Sequence, residues 1–158
     1  MTTYGTGTMV TQQPEPRPTN LDPYTRRGDG TLTTHLTAGA EALSALRRDV
    51  HQVLVLADVA EEAVHTVQLV LSELVSNAVR ACGDGTPLII EVVAGEEGID
   101  LHVTDPEPTR KPRRNSSALD NSDAESGRGM AIIDLLCEAV DVNVTAIGKR
   151  IHCLIPTH

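Results

Sequence analysis

Glu73 and Asn77 lie within a largely apolar stretch that runs from Leu69 to Ala78. A spacing of four residues places both side chains on one face of a helix, so that a carboxylate and a carboxamide lie one turn apart. Polar groups at the edge of a packed helix need hydrogen-bond partners or a ligand. Oxygen donors of these two kinds suit a Mg2+ ion that carries a nucleotide triphosphate.

Two later segments could complete such a site. Asp105 stands at the end of a predicted strand, in the run Val-Thr-Asp-Pro-Glu-Pro. The run Gly127-Arg128-Gly129-Met130 is predicted to open a helix after a long loop. Backbone amides and the helix dipole favour an anion at a helix N-terminus, and glycines let the chain approach it closely.

Each of these features has an ordinary structural interpretation when it is taken alone. Glu73 and Asn77 are then the solvated edge of an amphipathic helix, and Asp105 before a proline is a strand-ending turn residue. A Gly-x-Gly at a helix start is often only a tight turn into the helix. Their joint order, with the expected elements between them, favours a shared site instead.

The elements that must position these residues follow from periodicity and from turn residues. Apolar residues at helical spacing predict helices over residues 40–54, 61–81 and from 127 onward, and strands are predicted over 31–37, 88–94, 99–104, 142–147 and 150–155. The last two strands are predicted to turn at Gly148-Lys149. The predicted fold is an α/β (α+β) two-layer sandwich, with helices on one face of a mixed, largely antiparallel sheet.

The chain divides into a leader and one domain. Residues 1–30 are rich in Thr, Pro, Gly and Gln and are predicted to be disordered, and residues 31–158 form the domain. Residues 106–126 hold three prolines and little apolar content, which is typical of a functional or disordered loop.

Composition excludes several classes of function. With 13 basic and 22 acidic residues the net charge is -9, so a general nucleic-acid-binding surface is not expected. The basic cluster Arg110-Lys111-Pro112-Arg113-Arg114 is a local exception, with a solvated loop and a docking site as its two interpretations. Three well-separated cysteines give no zinc or disulfide pattern, and no segment is apolar enough to span a membrane. We therefore expect a cytoplasmic protein with no membrane association.

Taken together, the motifs resemble the GHKL ATPase superfamily, which has the Bergerat-type ATP-binding fold. The phrases Leu-Ser-Glu-Leu-Val-Ser-Asn-Ala, Gly-Arg-Gly-Met-Ala-Ile-Ile-Asp and Gly-Lys-Arg-Ile-His-Cys-Leu-Ile-Pro are similar to small stand-alone actinobacterial ATP-binding regulators. Those regulators are in turn similar to the anti-sigma-factor serine kinases. The resemblance covers residues 40–156.

The resemblance implies a role for each matched residue. Asn77 would coordinate Mg2+, Glu73 would act as general base, and Asp105 would accept a hydrogen bond from the adenine amino group of ATP and so select ATP over GTP. Gly127 and Gly129 would flank the triphosphate, Arg128 would offset phosphate charge, and residues 106–126 would form the ATP lid.

Two functions follow from the resemblance. In the first, the protein is an anti-sigma factor with serine/threonine kinase activity, whose partners are a sigma factor and an anti-anti-sigma factor. In the second, it is a non-catalytic protein-binding module of the same fold. The second is motivated by the run Asp105-Pro106-Glu107-Pro108, where many superfamily members carry glycines after the aspartate. A homodimer is a further expectation from the resemblance.

Overall fold

The computed structural model describes residues 24–107 and 123–157, with side chains from Thr25 and, in the second range, from Gly129 onward. The elements in these ranges are the strands β1 (Tyr24–Gly28), β2 (Thr31–Thr37), β3 (Pro87–Ala94), β4 (Ile99–Asp105), β5 (Ala139–Thr145) and β6 (Gly148–Ile155), and the helices α1 (Ala40–Leu56), α2 (Glu61–Cys82) and α3 (Asp123–Leu136).

The strands form one open sheet in the order β1-β2-β3-β4-β6-β5. Every pairing among the described strands is antiparallel, rather than mixed as the sequence suggested. Helix α2 contacts β4 and β6 and is flanked by α1 and α3. The predicted α+β two-layer sandwich is confirmed.

Helix α2 is the centre of the helical layer because its apolar residues recur at helical spacing. Val64, Val67, Leu71 and Leu74 are fully buried, and each such side chain contributes about 2 kcal/mol relative to an exposed position. Acidic residues occupy its first turn, where the helix dipole favours them. Gly83, at a φ of 95°, follows the helix in a conformation that other residues rarely adopt.

Alternation along the strands separates two faces of the sheet. Successive side chains of a strand point to opposite sides, and Leu101, Val103 and Ile151 lie in the core under the helices. We call this side the inner face, and the side that carries Asp100 and His102 the outer face. None of the helices in the described part of the chain combines the length and apolar character needed to cross a membrane.

Three predicted boundaries are wrong. Tyr24–Gly28, assigned to the disordered leader, pairs with β2 as an edge strand, while residues 1–23 lie outside the described residues. Helix α3 begins at Asp123 rather than at Gly127, so the last part of the predicted lid is helical. The predicted turn at Gly148-Lys149 belongs to β6, because β5 already ends at Thr145. Lid residues 108–122, with the basic cluster, lie outside the described residues.

Candidate functional site

Glu73, Asn77 and Gly129 meet where α2 and α3 pack together. A Cβ atom on Gly129 would lie 2.5 Å from Glu73 Oε2 and 3.6 Å from Asn77 Oδ1. Gly129 is buried, whereas Glu73 and Asn77 are partly exposed. The absence of a side chain at Gly129 thus lets the backbone of α3 lie directly against the polar edge of α2.

The Asn77 carboxamide already has partners within the protein. Arg80 Nη1 donates to Asn77 Oδ1 at 2.9 Å, and Asn77 Nδ2 donates to Met130 Sδ at 3.6 Å. Met130 is buried, whereas Arg80 is exposed. An exposed arginine can swing away at little cost, so the Asn77 oxygen remains available to a cation.

Gly127 and Arg128 do not stand at a helix N-terminus. They follow the first turn of α3, which begins at Asp123. The backbone N–H groups that a helix leaves free are those of its first four residues, so the proposed anion-binding amides belong to residues 123–126. The side chain of Arg128 lies outside the described part of the structure.

Asp105 ends β4 on the inner face and is 3% exposed. Its Oδ1 accepts a hydrogen bond from the backbone N–H of Glu107 at 2.9 Å, which stabilises the turn at Pro106. Its Oδ2 lies 3.5 Å from Nζ of Lys149, and the two side chains are 2% and 5% exposed. We call Asp105 and Lys149 the inner pair.

Sequence reasoning missed Lys149, which it assigned to a turn. In the structure Lys149 is the register partner of Asp105 across β4 and β6. The available signal was alternation, because Lys149, Ile151, Cys153 and Ile155 are spaced by two residues and all are buried. Gly148, at a φ of 148°, precedes it, and a Cβ there would overlap the carbonyl oxygen of Asp105. This glycine therefore allows the close approach of the two strands.

Topology brings the two parts of the candidate site to one end of the domain. Four residues connect the end of α2 to the start of β3. Antiparallel pairing then places the end of β4 and the start of β6 at that same end of the sheet. The C-terminal half of α2, which carries Glu73 and Asn77, therefore overlies the end of the sheet where the inner pair lies.

The outer face carries a different charged group on the same strands. The rings of His102 and His152 stack with centroids 4.5 Å apart. His152 Nε2 lies 2.6 Å from Asp100 Oδ1, and His152 Nδ1 lies 3.6 Å from Asp141 Oδ2. Neighbouring Arg150 Nη2 donates to Glu91 Oε2 at 2.7 Å. We call these residues the outer cluster.

The pKa of His102 is lowered from its ordinary value, first by burial and then by the positive charges of Arg150 and His152. The carboxylates of Glu91 and Asp100 oppose this shift. His102 Nδ1 is buried without a hydrogen-bond partner. The neutral form of this imidazole is therefore favoured in the folded protein.

A cavity of about 600 Å³ opens at the other end of the sheet, between the β1–β2 and β3–β4 turns and the end of α1. Gly30, Leu56, Asp58 and Ala94 are among its lining residues, and none of the predicted site residues lines it. It is therefore separate from the candidate site.

The donor set at the α2 edge fits a magnesium nucleotide. No cluster of three or more metal-ligating His, Cys, Asp or Glu side chains occurs among the described residues. Mg2+ takes few protein ligands and completes its coordination with phosphate oxygens and waters, so the carboxamide oxygen of Asn77 could serve as its one protein ligand. The carboxylate of Asp105 has lone pairs beyond those facing Glu107 and Lys149, and these can accept from a base amino group.

A family model described as the histidine kinase-like ATPase domain matches residues 36–153. The match extends from β2 into β6 and includes Glu73, Asn77, Asp105 and Gly129. No curated protein matches the chain.

Proposed function

Because the chain belongs to the histidine kinase-like ATPase domain family, we propose that it is an ATP-binding regulator that phosphorylates a serine or threonine of a protein partner. Family membership implies nucleotide binding. The kinase activity, the Mg2+ dependence and the partner are the proposal. The observation that supports it is the position of Glu73 and Asn77 on one edge of α2. Because Gly129 has no side chain, α3 places no side chain against these two groups at that point.

The proposed partners are a sigma factor and an anti-anti-sigma factor. In this proposal the protein acts in the cytoplasm as a homodimer, binds the sigma factor and phosphorylates the anti-anti-sigma factor. Phosphorylation places about two negative charges and three strong acceptor oxygens on a hydroxyl. Such a change is large enough to end binding between two protein surfaces. The resemblance of the motif phrases to stand-alone anti-sigma regulators supports these partners.

The chain's residues divide the chemistry as follows. Asp105 accepts from the base amino group, and Asn77 contributes its carboxamide oxygen to Mg2+. Glu73 accepts the proton of the attacking hydroxyl, whose oxygen forms the new bond to phosphorus while the bond from the γ-phosphorus to the β,γ-bridging oxygen breaks and ADP leaves. Bound Mg-ATP supplies the phosphoryl group and the positive charge that offsets its oxygens. The free amides at the start of α3 favour the phosphates electrostatically.

The kinase proposal is tested by transfer of labelled phosphate from Mg-ATP to purified anti-anti-sigma proteins from the same genome. We expect phosphoserine or phosphothreonine in one of them, reduced at least 100-fold in Glu73→Gln. Glu62→Gln is the matched control, because Glu62 is exposed in the first turn of the same helix. Nucleotide binding without transfer to any of these proteins would contradict the kinase proposal.

Gly129→Ala separates the chemistry from folding. Alanine is favoured over glycine inside a helix by about 1 kcal/mol, so stability should be retained. The new methyl group would displace the Glu73 carboxylate, which is the flexible end of its side chain. We expect transfer to fall at least tenfold with unchanged thermal unfolding. An unchanged rate of phosphate transfer would contradict the proposal that Glu73 is the general base.

A non-catalytic regulator is the second candidate, and two contacts favour it. Arg80 donates to the Asn77 oxygen, and Lys149 lies beside the Asp105 carboxylate, so both proposed ligand-binding groups already have cationic partners. Titration calorimetry with ATP, with and without Mg2+, discriminates the two. The absence of heat and of any thermal shift would favour this candidate.

A further inference from the structure

Two of the three cysteines, Cys137 and Cys153, meet at the end of helix α3. Cys137 directly follows the last residue of α3, and its backbone N–H donates to the carbonyl oxygen of Ile133 at 3.0 Å. Cys153 lies on the inner face of β6, in the core. A hydrogen bond joins the two thiols, and neither belongs to a disulfide. Cysteines that are well separated in the sequence are thus neighbours in the fold.

The backbone holds the two cysteines next to each other. Glu138, directly after Cys137, donates its backbone N–H to the carbonyl oxygen of Leu154 at 2.8 Å, and Leu154 directly follows Cys153. Val140 of β5 is the register partner of Cys153. Because backbone hydrogen bonds fix both chain segments, the contact between the thiols does not depend on the position of one flexible side chain.

The two thiols differ in their access to solvent and in their acidity. Cys153 is fully buried, whereas Cys137 is partly exposed. A hydrogen bond from the Cys153 thiol lowers the pKa of Cys137, although burial and the carboxylate of Asp134 oppose this shift. The same hydrogen bond and burial raise the pKa of Cys153. Since the thiolate is the nucleophile, Cys137 is the more reactive of the two.

We propose that Cys137 and Cys153 are a peroxide-responsive pair, in which Cys137 reacts with hydrogen peroxide and Cys153 then closes an intramolecular disulfide between the end of α3 and β6. Redox-sensing cysteines are typically accessible and lie next to a second thiol that resolves the oxidised form. The inference goes beyond the proposed function and does not depend on it, because it requires neither a nucleotide nor a partner protein.

The reaction oxidises two thiols and reduces one hydrogen peroxide to two waters. The Cys137 thiolate attacks one peroxide oxygen, the O–O bond breaks, and the second oxygen leaves as water with the proton that Cys137 has lost. Cys137 is then a sulfenic acid. The Cys153 sulfur attacks the Cys137 sulfur, so that an S–S bond forms and the S–O bond breaks, and the sulfenic oxygen leaves as water with the Cys153 proton. A dithiol reductant reverses the reaction by thiol–disulfide exchange.

The disulfide would act on the helix that borders the candidate site. Helix α3 carries Gly129 against Glu73 and Asn77, and Cys137 directly follows the end of the same helix. A covalent bond from this end to the sheet limits the local opening of the helix. We therefore expect the amides of residues 133–138 to exchange with solvent at least about threefold more slowly in the oxidised protein than in the reduced protein.

The first test maps the bond in the full wild-type chain. Reduced protein is treated with hydrogen peroxide, alkylated and digested with trypsin, which places the two cysteines on the separate peptides 129–149 and 151–158. At peroxide concentrations that leave Cys82 alkylated, we expect these two peptides to be cross-linked, and dithiothreitol should separate them. Absence of the cross-linked pair, or a disulfide that includes Cys82 instead, would overturn the proposal.

The second test assigns the two roles. In Cys153→Ala the sulfenic acid at Cys137 should persist and react with dimedone at least about tenfold more than in the wild type. In Cys137→Ser the buried Cys153 should stay reduced. Cys82→Ser is the matched control and should form the disulfide as the wild type does. Equal dimedone labelling in the wild type and Cys153→Ala, or oxidation of Cys153 in Cys137→Ser, would overturn the assigned roles.

The third test measures the effect on α3 by hydrogen exchange and mass spectrometry of the reduced and oxidised wild type, with peroxide-treated Cys137→Ser as the control. Unchanged exchange in a protein that carries the disulfide would overturn the effect on the helix. Circular dichroism checks that each variant is folded, and the wild-type peptide map decides alone if a variant is not. None of these measurements uses nucleotide, so their failure would leave the proposed function intact.

Discussion

Strands β4 and β6 carry charged side chains on both faces, and the inner pair and the outer cluster differ in how far they are exposed to solvent. The inner pair has side chains that are 2% and 5% exposed. In the outer cluster, Arg150 and Glu91 are 39% and 33% exposed. The inner charges are largely removed from water, while the outer charges retain much of their hydration.

This difference bears on function. A partly exposed ion pair contributes little to stability, because the median contribution of such pairs to the free energy of unfolding is at most about 1 kcal/mol. A buried pair is often no better than well-packed apolar residues of similar size. The burial of the inner pair is therefore not in itself evidence that the pair stabilises the fold.

The largest effect is expected when one member of the inner pair is removed. Lys149→Met leaves the Asp105 carboxylate buried without its cation, and the free energy of unfolding should fall by about 3 kcal/mol. Urea unfolding at pH 7.5 measures the change.

The double variant Asp105→Asn/Lys149→Met tests whether the loss of stability comes from the buried carboxylate that has lost its cation. Asn can still accept from the N–H of Glu107, and no buried charge remains, so the double variant should be more stable than Lys149→Met. If the double variant loses as much free energy of unfolding as the two single variants together, the two charges do not interact.

Gly148→Ala tests the strand approach that aligns the inner pair. Its φ of 148° is a conformation that L residues rarely adopt, and the new methyl group would overlap the carbonyl oxygen of Asp105. We expect a loss of about 2 kcal/mol. Gly95→Ala is the control, because a Cβ there makes only an ordinary contact with Gly98 at 3.6 Å, and its effect should stay within about 0.5 kcal/mol.

Local periodicity predicted much of this architecture. The stripe of α2 and the hairpin of β3 and β4 follow from spacings within single elements, as does the placement of Glu73 and Asn77 on one edge. The α3 start was missed although Ser122-Asp123-Ala124-Glu125 matches the capping-box pattern. Strand β1 gave no apolar signal, because it is a polar strand that pairs, among the described strands, with β2 alone.

The inner pair could not be predicted in the same way. Asp105 and Lys149 are far apart in the sequence, and their contact depends on the register between β4 and β6. Because a turn was assumed at Gly148-Lys149, the predicted strand began two residues later than β6 does, and Lys149 was left out of the sheet. The side chains that share one helix edge were thus accessible to pattern analysis, and the contact made by a long-range pairing was not.

The outer face of the sheet should also make the stability of the protein depend on pH. Burial and the charges of Arg150 and His152 lower the pKa of His102 below 6.5. The unfolded chain therefore binds a proton more readily than the folded protein, so stability is fully present above pH 6.5 and is lost as the pH falls through the folded pKa. Thermal unfolding between pH 7.5 and 5 should show a smaller decrease for His102→Gln than for the wild type. An identical pH profile would contradict this assignment.

The smallest effect is expected for Arg150→Met, which removes the partner of Glu91 from the outer cluster. Solvent screens this pair, so unfolding at pH 7.5 should change by less than about 1 kcal/mol, far below the effect of Lys149→Met one residue away. Arg150 also lowers the pKa of His102, so its removal should weaken the pH dependence of stability between pH 7.5 and 5. Unfolding measured at both pH values tests the two statements together. A loss as large as that of Lys149→Met would mean that the two faces of these strands do not differ in the way their exposure indicates.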